Sequence, residues 1–162
     1  MSTDLTVASL RRPGADDGVA LHGLIQACPP LDVNTVYLYH LICRHHAATS
    51  VVAEADGQLV GAITGYLLPQ DQDVLFIWQV AVHSAGRGQG LATRMLAELC
   101  DGLRSRWLHT TVGPGNTASR TLFERFAQKR ELAYAWEPWL SGEQCGDGHE
   151  PEDLLRIGPF PS

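Results

Sequence analysis

The hydrophobic pattern of this chain alternates between helical and strand-like stretches. Apolar residues spaced three and four positions apart predict helices, and short alternating or continuous apolar runs predict strands. Helices are predicted through Ala20–Cys28, through Leu38–Ile42, over Gly90–Arg104 and over Asn116–Gln128. Strands are predicted at Leu5–Leu10, Thr49–Ala55, Gln58–Leu68, Val74–Val82, Trp107–Val112 and Glu131–Glu137, and Leu154–Ile157 could add a strand at a sheet edge.

Residues between these stretches support the assignment. Asp16 and Asp17 are suited to cap the first helix, and Pro29-Pro30 ends it. Asp56-Gly57 is a favoured hairpin turn, and residues 141–148 form a polar loop. Three successive strands joined by hairpins exclude a doubly wound parallel fold. The predicted fold class is therefore α/β in the α+β sense, a mixed, mostly antiparallel, twisted sheet flanked by about four helices.

Composition then narrows the class of protein. The 162 residues, of which 44% are hydrophobic and 19% charged, are typical of one globular domain covering residues 1–162. No apolar run approaches the roughly 20 residues that span a bilayer, and Met1–Thr6 lacks the features of a signal peptide. We therefore expect a cytoplasmic protein with no membrane partner. Four scattered cysteines without a CxxC pair predict no metal site.

The net charge adds a preference for partners. A formal charge of −6 argues against a nucleic-acid partner, because contacts with phosphates need a concentrated basic face. The same charge favours cationic small molecules, such as amines, over anionic ones. It does not exclude a phosphorylated cofactor, which needs only one local group of donors.

One glycine-rich turn carries the candidate cofactor chemistry. Gly86, Gly88 and Gly90 follow a predicted strand and open a predicted helix, so the backbone can adopt positive φ and approach a ligand closely. Unpaired N–H groups at the helix start, with Arg87 beside them, suit a pyrophosphate. The glycine spacing does not match a dinucleotide-binding turn, and no GKS or GKT follows. A merely flexible turn is the remaining alternative.

Residues 87–92 resemble the R/Q-x-x-G-x-G/A signature of the GCN5-related N-acetyltransferases, and the predicted order of elements is also theirs. The resemblance covers nearly the whole chain and implies acetyl-CoA as cosubstrate, no metal and a homodimer. It implies that the backbone of Val80 and Val82 holds the pantetheine arm, and that Asn116 and Ser119 lie at the far side of the cofactor. The pyrophosphate would bind the amides of Arg87, Gly88, Gln89, Gly90, Leu91 and Ala92.

One position departs from that family. Many members carry a tyrosine in the fourth helix that protonates the departing thiolate, and Phe123 stands at this place among the cofactor-contacting residues. Because phenylalanine has no proton to give, water or another group must supply it. The usual Gly-Phe pair after this helix is also missing.

Three further segments resemble one subfamily, the L-2,4-diaminobutyrate N-γ-acetyltransferases of ectoine biosynthesis. They are residues 28–37, 76–82 and 149–154. This resemblance implies a small diamine substrate. The expected substrate-binding residues are Asp32, Asn34, Tyr37, Trp78, Gln79, His149 and Glu152.

The chemistry of these residues fits a diamine. Asp32 and Glu152 would pair with its two ammonium groups, and Tyr37 and Trp78 would supply a wall and hydrogen-bond donors. The expected catalytic residues are Glu152 and His149, as candidate bases, and Trp78 near the reacting carbon. Alternatives stay open: Asp32 as a helix cap, Trp78 as core, and Glu152 with His149 as a solvated acidic loop. For Asn116 the alternative is a plain helix cap, a role compatible with cofactor binding.

Other functions remain in competition. Within the same class, the substrate could be a polyamine, another diamine or an amino acid. In a different class, the same fold could be a non-catalytic acyl-CoA-binding module, because fold alone does not fix function. A toxin that acetylates aminoacyl-tRNA is disfavoured by the negative charge.

Overall fold

A computed structural model describes residues 7–162. Its helices are α1 (Gly18–Gln26), α2 (Val36–His45), α3 (Leu91–Gly102), α4 (Thr117–Lys129) and the single turn α5 (Gly142–Cys145). Its strands are β1 (Ser9–Arg11), β2 (Val51–Ala55), β3 (Gln58–Leu68), β4 (Asp71–Val82), β5 (Trp107–Val112), β6 (Tyr134–Leu140) and β7 (Glu152–Ile157). No helix in this part of the chain is long and apolar enough to cross a membrane.

The strands form one sheet in the order β1-β2-β3-β4-β5-β7-β6. Of the pairs β1–β2, β2–β3, β4–β5, β5–β7 and β6–β7, only β4–β5 is parallel. The predicted mixed, mostly antiparallel α/β fold is therefore confirmed. By internal contacts the chain divides into two compact units. The first holds the residues up to Tyr66 together with Gln79–Leu103, and the second holds Leu67–Trp78 and Arg104–Ser162.

The first unit buries a core between its helices and strands. Apolar residues at helical spacing in α1 and α2 form one cluster with Val52 of β2, Ala62 of β3 and Ala81 of β4. Gly18 is required where α1 passes α2, because a Cβ there would overlap the imidazole ring of His40. The Asp56-Gly57 hairpin turn forms as predicted, with φ of +52° and +77°. The core residues are Leu21, Leu24, Ile25, Cys28, Tyr39, Ile42, Cys43, Val52, Ala62 and Ala81.

The second unit is organised around β5 and β7. β5 lies between β4 and β7, with Phe76 opposite His109 and His109 opposite Arg156. β7 in turn pairs with β6, which places β6 at the edge. The predicted edge position of Leu154–Ile157 is therefore wrong, because this strand is interior. Its apolar residues Leu154, Leu155 and Ile157 are accordingly buried.

Several element ends differ from the predictions. The part of the first predicted strand before residue 7 lies outside the described residues, and β1 continues to Arg11. Asp17 occupies the N-cap position of α1, but its carboxylate accepts hydrogen bonds from Arg11 and the Gly14 N–H instead of from the helix. β6 begins at Tyr134, three residues after its predicted start, because residues 129–131 complete the turn that ends α4.

The stretch 141–148, predicted to be a polar loop, contains α5. Ser141 and Gln144 form a reciprocal capping box, with the Ser141 hydroxyl accepting from the Gln144 N–H at 3.1 Å. The side-chain oxygen Oε1 of Gln144 accepts from the Ser141 N–H at 2.8 Å. The Ser-x-x-Gln spacing was a signal for this helix start, and the polar composition of the stretch concealed it.

Candidate active site

The glycine-rich turn after β4, residues His83–Leu91, is called the phosphate loop below. It begins with a 3₁₀ turn over Ser84–Gly86, where His83 Nδ1 accepts a hydrogen bond from the Ala85 N–H at 3.1 Å. Gly88 and Gly90 then adopt positive φ, +81° and +64°, and α3 starts at Leu91. A Cβ added to either glycine would meet nothing within 4 Å, so both face open space.

Gly86 has a different role from the one predicted. It does not have positive φ, and it is buried. A Cβ on Gly86 would lie 3.2 Å from a Leu91 methyl carbon and 3.3 Å from the Val60 carbonyl oxygen. The absence of a side chain therefore lets this turn pack on β3, and only Gly88 and Gly90 provide the conformation suited to close approach of a ligand.

The start of α3 provides donors for an anion. Its N-cap is Gly90, which has no side chain to accept from the first-turn N–H groups. These groups and the helix dipole favour a negative charge at this end. The guanidinium of Arg87 is exposed, with Nε 3.3 Å from the carbonyl oxygen of Val82. The loop therefore combines oriented amides, one cation and open space, which suits a pyrophosphate.

The backbone of Val80 and Val82 points away from β3. The N–H groups of Gln79 and His83 donate to β3, to the Thr64 hydroxyl at 3.2 Å and to the Val60 carbonyl at 2.8 Å. Along a strand, the N–H and C=O groups of successive residues point to opposite edges. The polar groups of Val80 and Val82 therefore point to the other edge of β4, as binding of an extended pantetheine arm requires.

In the same unit, the predicted substrate-binding residues of the first segment lie between α1 and α2 and at the start of α2. Asp32 is exposed, and so is Tyr37, which is 70% exposed. Thr35 occupies the N-cap of α2, and its hydroxyl accepts from the Leu38 N–H at 3.3 Å. Asp32 is therefore not the cap of this helix, and that alternative is excluded.

Gln79 is not a surface residue, unlike Asp32, Tyr37 and Trp78, which were predicted to bind the substrate with it. It is buried, at 7% exposed, and its amide Nε2 donates to the Asp32 carbonyl oxygen at 2.8 Å. Its Oε1 accepts from the hydroxyl of Tyr39 at 3.2 Å. Asn34 is half-buried, and its backbone N–H donates to the same hydroxyl. Tyr39 is a residue that sequence reasoning assigned only to the helix, since a buried tyrosine in an apolar pattern gives no separate signal.

In the second unit, Trp78 is a surface residue. It is 40% exposed, while its neighbours Ile77 and Gln79 in β4 are buried. The alternation along the strand therefore places Trp78 on the open face of the sheet, and the alternative that it belongs to the core is wrong. A half-exposed indole is available for contact with a ligand.

The start of α4 has the features predicted for it. Asn116 caps the helix, with Oδ1 accepting from the Ser119 N–H at 3.2 Å, so the capping role is confirmed. Ser119 follows in the first turn of the helix. Phe123 is 2% exposed, so its ring packs in the interior of this unit. An interior phenylalanine is consistent with the absence of the family's proton-donating hydroxyl at this position.

The segment after β6, residues 141–152, is called the tail segment below. His149 is exposed, and its Nδ1 lies 2.7 Å from the carbonyl oxygen of Glu150. Because a carbonyl oxygen only accepts, Nδ1 carries the proton, and the lone pair of the neutral ring is on Nε2. Glu152 is half-buried at the first position of β7. The solvated-loop alternative therefore does not describe Glu152.

Glu150 was missed by the sequence reasoning. Its Oε1 accepts from the Gly115 N–H at 2.8 Å, across 35 residues of sequence. Cβ atoms on Gly113 and Gly115 would lie 2.8 Å and 2.6 Å from its carboxylate oxygens, so both glycines leave room for it. The contact ties the tail segment to the turn before α4. Nothing local in the sequence indicates this pairing.

Other candidate chemistry is limited. Burial raises the pKa of the Cys28 thiol, in spite of the nearby Arg87, and raises that of Cys43 to about 11. Both thiols are therefore protonated at neutral pH and unsuited to act as nucleophiles. Within residues 7–162, no three His, Cys, Asp or Glu side chains are grouped to hold a metal ion.

Comparison with known proteins gives the family. The sequence model of the acetyltransferase (GNAT) family matches residues 19–127, which include the phosphate loop and most of α4. This chain belongs to the acetyltransferase (GNAT) family. As a GNAT protein it resembles the L-2,4-diaminobutyric acid acetyltransferase of Bordetella parapertussis, at 45% identity over 98% of this chain and 92% of that one. The enzyme of the same name from Chromohalobacter salexigens is 41% identical, over 93% and 81% of the two chains.

A solved structure extends the likeness of this GNAT chain to three dimensions. Diaminobutyrate acetyltransferase EctA from Paenibacillus lautus superposes with a TM-score of 0.92 and 38% identity. The match covers 97% of this chain and 98% of that one. The P. lautus structure is a complex with its substrate L-2,4-diaminobutyric acid and coenzyme A.

Proposed function

We propose that this protein transfers the acetyl group of acetyl-CoA to the γ-amino group of L-2,4-diaminobutyrate, forming N4-acetyl-L-2,4-diaminobutyrate in ectoine biosynthesis. The observation that carries the proposal is the match, over nearly both whole chains, to an acetyltransferase whose solved structure is a complex with this diamine and coenzyme A. The 45% identical relative with the same named activity supports it. Residues 1–162 act as a single N-acetyltransferase domain.

Acetyl-CoA binds at the phosphate loop. The pyrophosphate accepts hydrogen bonds from the amides of residues 87–92, and Arg87 adds a charge-assisted contact. The outward polar groups of Val80 and Val82 hydrogen-bond the pantetheine arm. Asn116, Ser119 and Phe123 contact the cofactor from α4. The open space at Gly88 and Gly90 supports this assignment, because a phosphate needs the room that a side chain would fill.

The diamine is held by charge and by aromatic surface. Asp32 and Glu152 each pair with one ammonium group, and Tyr37 and Trp78 form the aromatic wall. The exposure of Asp32, Tyr37 and Trp78 supports these roles, since each side chain is accessible to a ligand. A carboxylate placed for each ammonium favours a diamine over a monoamine, because a monoamine can form only one of the two charge pairs with the protein.

The attacking nitrogen must first lose a proton. A primary ammonium titrates near 10, so deprotonation at pH 7 costs about 4 kcal/mol. His149 and Glu152 are the proposed bases, acting directly or through one water. The hydrogen bond from Nδ1 to the Glu150 carbonyl supports His149, because it leaves the basic lone pair on Nε2. Trp78 flanks the reacting carbon, and a backbone N–H near Val80 stabilises the oxyanion.

The leaving thiolate takes its proton from water or from a group other than residue 123. Phe123 is interior and has no exchangeable proton. We therefore assign it a packing role beside the cofactor. This separates the chain from GNAT members that use a tyrosine at this place.

The protein is further proposed to be a cytoplasmic homodimer. Trp139 on the edge strand β6 is 50% exposed, and its ring centroid lies 6.5 Å from that of Phe76. Large exposed aromatic side chains on one sheet face are typical of surfaces that bind another protein. Size-exclusion chromatography with light scattering tests the dimer, and a monomer at micromolar concentration would contradict it.

Product analysis tests the proposed reaction. Purified protein is incubated with acetyl-CoA and L-2,4-diaminobutyrate, and the acetylated carbon chain is assigned by NMR. Acetylation of the γ-nitrogen is expected, with one coenzyme A released per product. Acetylation of the α-nitrogen, or thioester loss without an acetylated amine, would contradict the proposal.

A further inference from the structure

A buried chain of hydrogen bonds joins β4 and α2 to the residues 31–35, called the Asp32 segment below. Tyr39 is fully buried, at 0% exposed, and its hydroxyl donates to Gln79 Oε1 at 3.2 Å. The Gln79 amide donates to the Asp32 carbonyl oxygen at 2.8 Å. The Asn34 N–H donates to the Tyr39 hydroxyl oxygen at 3.4 Å. Two side chains thus hold the backbone of the Asp32 segment at two points.

The two side chains that form this chain of hydrogen bonds, Gln79 and Tyr39, are themselves held in place by the fold. Gln79 lies within β4, and its backbone N–H donates to the Thr64 hydroxyl of β3 at 3.2 Å. Tyr39 belongs to the core of the first unit, where its ring meets the His22 ring edge-on, with centroids 5.7 Å apart. A buried amide and a buried hydroxyl cost free energy unless they are paired, and here each is paired with the other.

The Asp32 segment itself has no regular structure. It lies between the end of α1 and the start of α2, and Asp32 and Val33 are exposed. A carboxylate on such a segment is placed accurately only if its backbone is fixed from outside. Gln79 donates to the backbone carbonyl of Asp32 itself, the residue whose side chain is proposed to bind the substrate, so no other residue stands between the anchor and the carboxylate.

We propose that Gln79 and Tyr39 are positioning residues that fix Asp32 for pairing with the α-ammonium group of the substrate, the one that does not react. The inference rests on the proposed function and deepens it, because it assigns selectivity for a diamine to a pair of buried side chains. Gln79 then acts through Asp32 and not by touching the substrate. A shift of about 1 Å in a positioned group is enough to lower a rate by one to two orders of magnitude.

The kinetic test uses Tyr39→Phe, which removes only the hydroxyl, and Gln79→Glu, which can no longer donate to the Asp32 carbonyl. Each is expected to lower kcat/KM for L-2,4-diaminobutyrate about tenfold, mainly through KM. For 4-aminobutyrate, which has the same reacting amine but no α-ammonium, the change should stay within about threefold. The matched control is Tyr134→Phe, which loses a hydroxyl contact with Gln128 in the second unit. It should leave kcat/KM unchanged for both amines.

A double variant decides between positioning and direct contact. If Tyr39 acts through Asp32, Tyr39→Phe combined with Asp32→Asn should match Asp32→Asn alone within about twofold. Multiplication of the two losses would overturn the proposal, since it would mean that Tyr39 and Gln79 act on the substrate or on folding independently of Asp32.

Amide hydrogen exchange tests the same contacts without substrate or turnover. In Tyr39→Phe the Asn34 N–H should exchange at least about tenfold faster than in the wild type, and the Leu38 N–H, bonded to Thr35, should not change. Unchanged exchange at Asn34 would overturn the positioning role even in an active enzyme. If the wild type fails to acetylate the diamine, the proposed function fails, and the exchange result still stands for or against the hydrogen-bond chain.

Discussion

The phosphate loop and the tail segment reach their conformations in different ways. In the phosphate loop, two positive-φ glycines, Gly88 and Gly90, and the helix start at Leu91 place the donors, and these features are local. In the tail segment, a short capped helix is followed by Glu150, whose carboxylate meets a turn 35 residues earlier in the chain. The first region depends on backbone conformation, and the second depends on a tertiary contact.

This difference decides which substitutions each region tolerates. The phosphate loop presents backbone N–H groups, so most side-chain changes leave its donors in place and only glycine positions are sensitive. The tail segment carries His149 and Glu152, and the carboxylate of Glu150 between them bonds to Gly115, elsewhere in the second unit. A change at such a partner should therefore act on catalysis without touching a candidate catalytic residue.

The largest effect is expected from Gly88→Asp in the phosphate loop. A carboxylate there would face the cofactor pyrophosphate, and repulsion of about 4 kcal/mol between charges at 4 Å exceeds a hundredfold in affinity. Calorimetry with coenzyme A measures the loss. The space for the new side chain is open, so the variant should remain folded.

Gly57→Asp is the matched control for this substitution. Gly57 has φ +77° against +81° for Gly88, and its Cβ position is equally open, but it lies in the β2–β3 hairpin turn. Both variants should lose a similar stability, about 1 kcal/mol for positive φ, and only Gly88→Asp should lose coenzyme A binding. Equal affinities in the two folded variants would disprove the assignment of the phosphate loop.

The same contrast explains what the sequence predicted of the fold. β3, β5 and the helices α1 to α4 were predicted because period and end signals are local, and the β2–β3 hairpin followed from Asp56-Gly57. The interior position of β7 was not predictable from its own residues. A short apolar strand looks alike at an edge and in the interior, and the pairing with β5 and β6 is a tertiary choice.

The candidate site divides in the same manner. The phosphate loop, Asn116 and the exposed Trp78 followed from motifs and resemblance. The role of Gly86 did not, since its close contact with the Val60 carbonyl is made across two strands. The partners of Asp32 and His149, which are Gln79 and Glu150, were also beyond reach, because hydrogen bonds between distant residues leave no local pattern.

A moderate effect is expected when the tertiary contact of the tail segment is broken from its far side. Gly115→Ala would bring a Cβ to 2.6 Å from Glu150 Oε1 and force the carboxylate to move. Gly115→Ala and Glu150→Ala should each lower kcat about tenfold, because the backbone next to His149 is then no longer held in place. Steady-state rates measure this. Gly23→Ala, where a Cβ meets nothing within 4 Å, is the control, and an equal loss in it would contradict the tail-segment account.

The smallest effect is expected on the free energy of unfolding. It provides a variant that loses stability without losing activity, with which the variants above can be compared. The guanidinium of Arg11 donates two hydrogen bonds to the Asp17 carboxylate, at 2.6 Å and 3.0 Å, and lowers the pKa of this carboxylate. Since the folded pKa lies below the unfolded value near 3.9, this stabilisation is present above about pH 4 and is lost as pH falls through the folded pKa.

Asp17→Asn should therefore lower the free energy of unfolding by about 1 kcal/mol at pH 7 and by less at pH 3, with turnover unchanged. Urea unfolding at the two pH values measures the difference. A loss that is the same at both pH values would show that the Arg11–Asp17 pair does not contribute in the manner its geometry indicates.

The most direct test of the central claim is competition between L-2,4-diaminobutyrate and 4-aminobutyrate for the wild type, Asp32→Asn and Glu152→Gln. The wild type should favour the diamine by tenfold to a hundredfold or more in kcat/KM, the equivalent of about 1–3 kcal/mol for one charge pair with the substrate. Asp32→Asn, which removes the partner of the α-ammonium that 4-aminobutyrate lacks, should narrow that preference. Glu152→Gln, which removes a proposed base and the partner of the reacting γ-ammonium, should lower kcat/KM for both amines. A wild type without preference, or an Asp32→Asn variant that loses activity equally on both amines, would contradict selection of the substrate by its two ammonium groups.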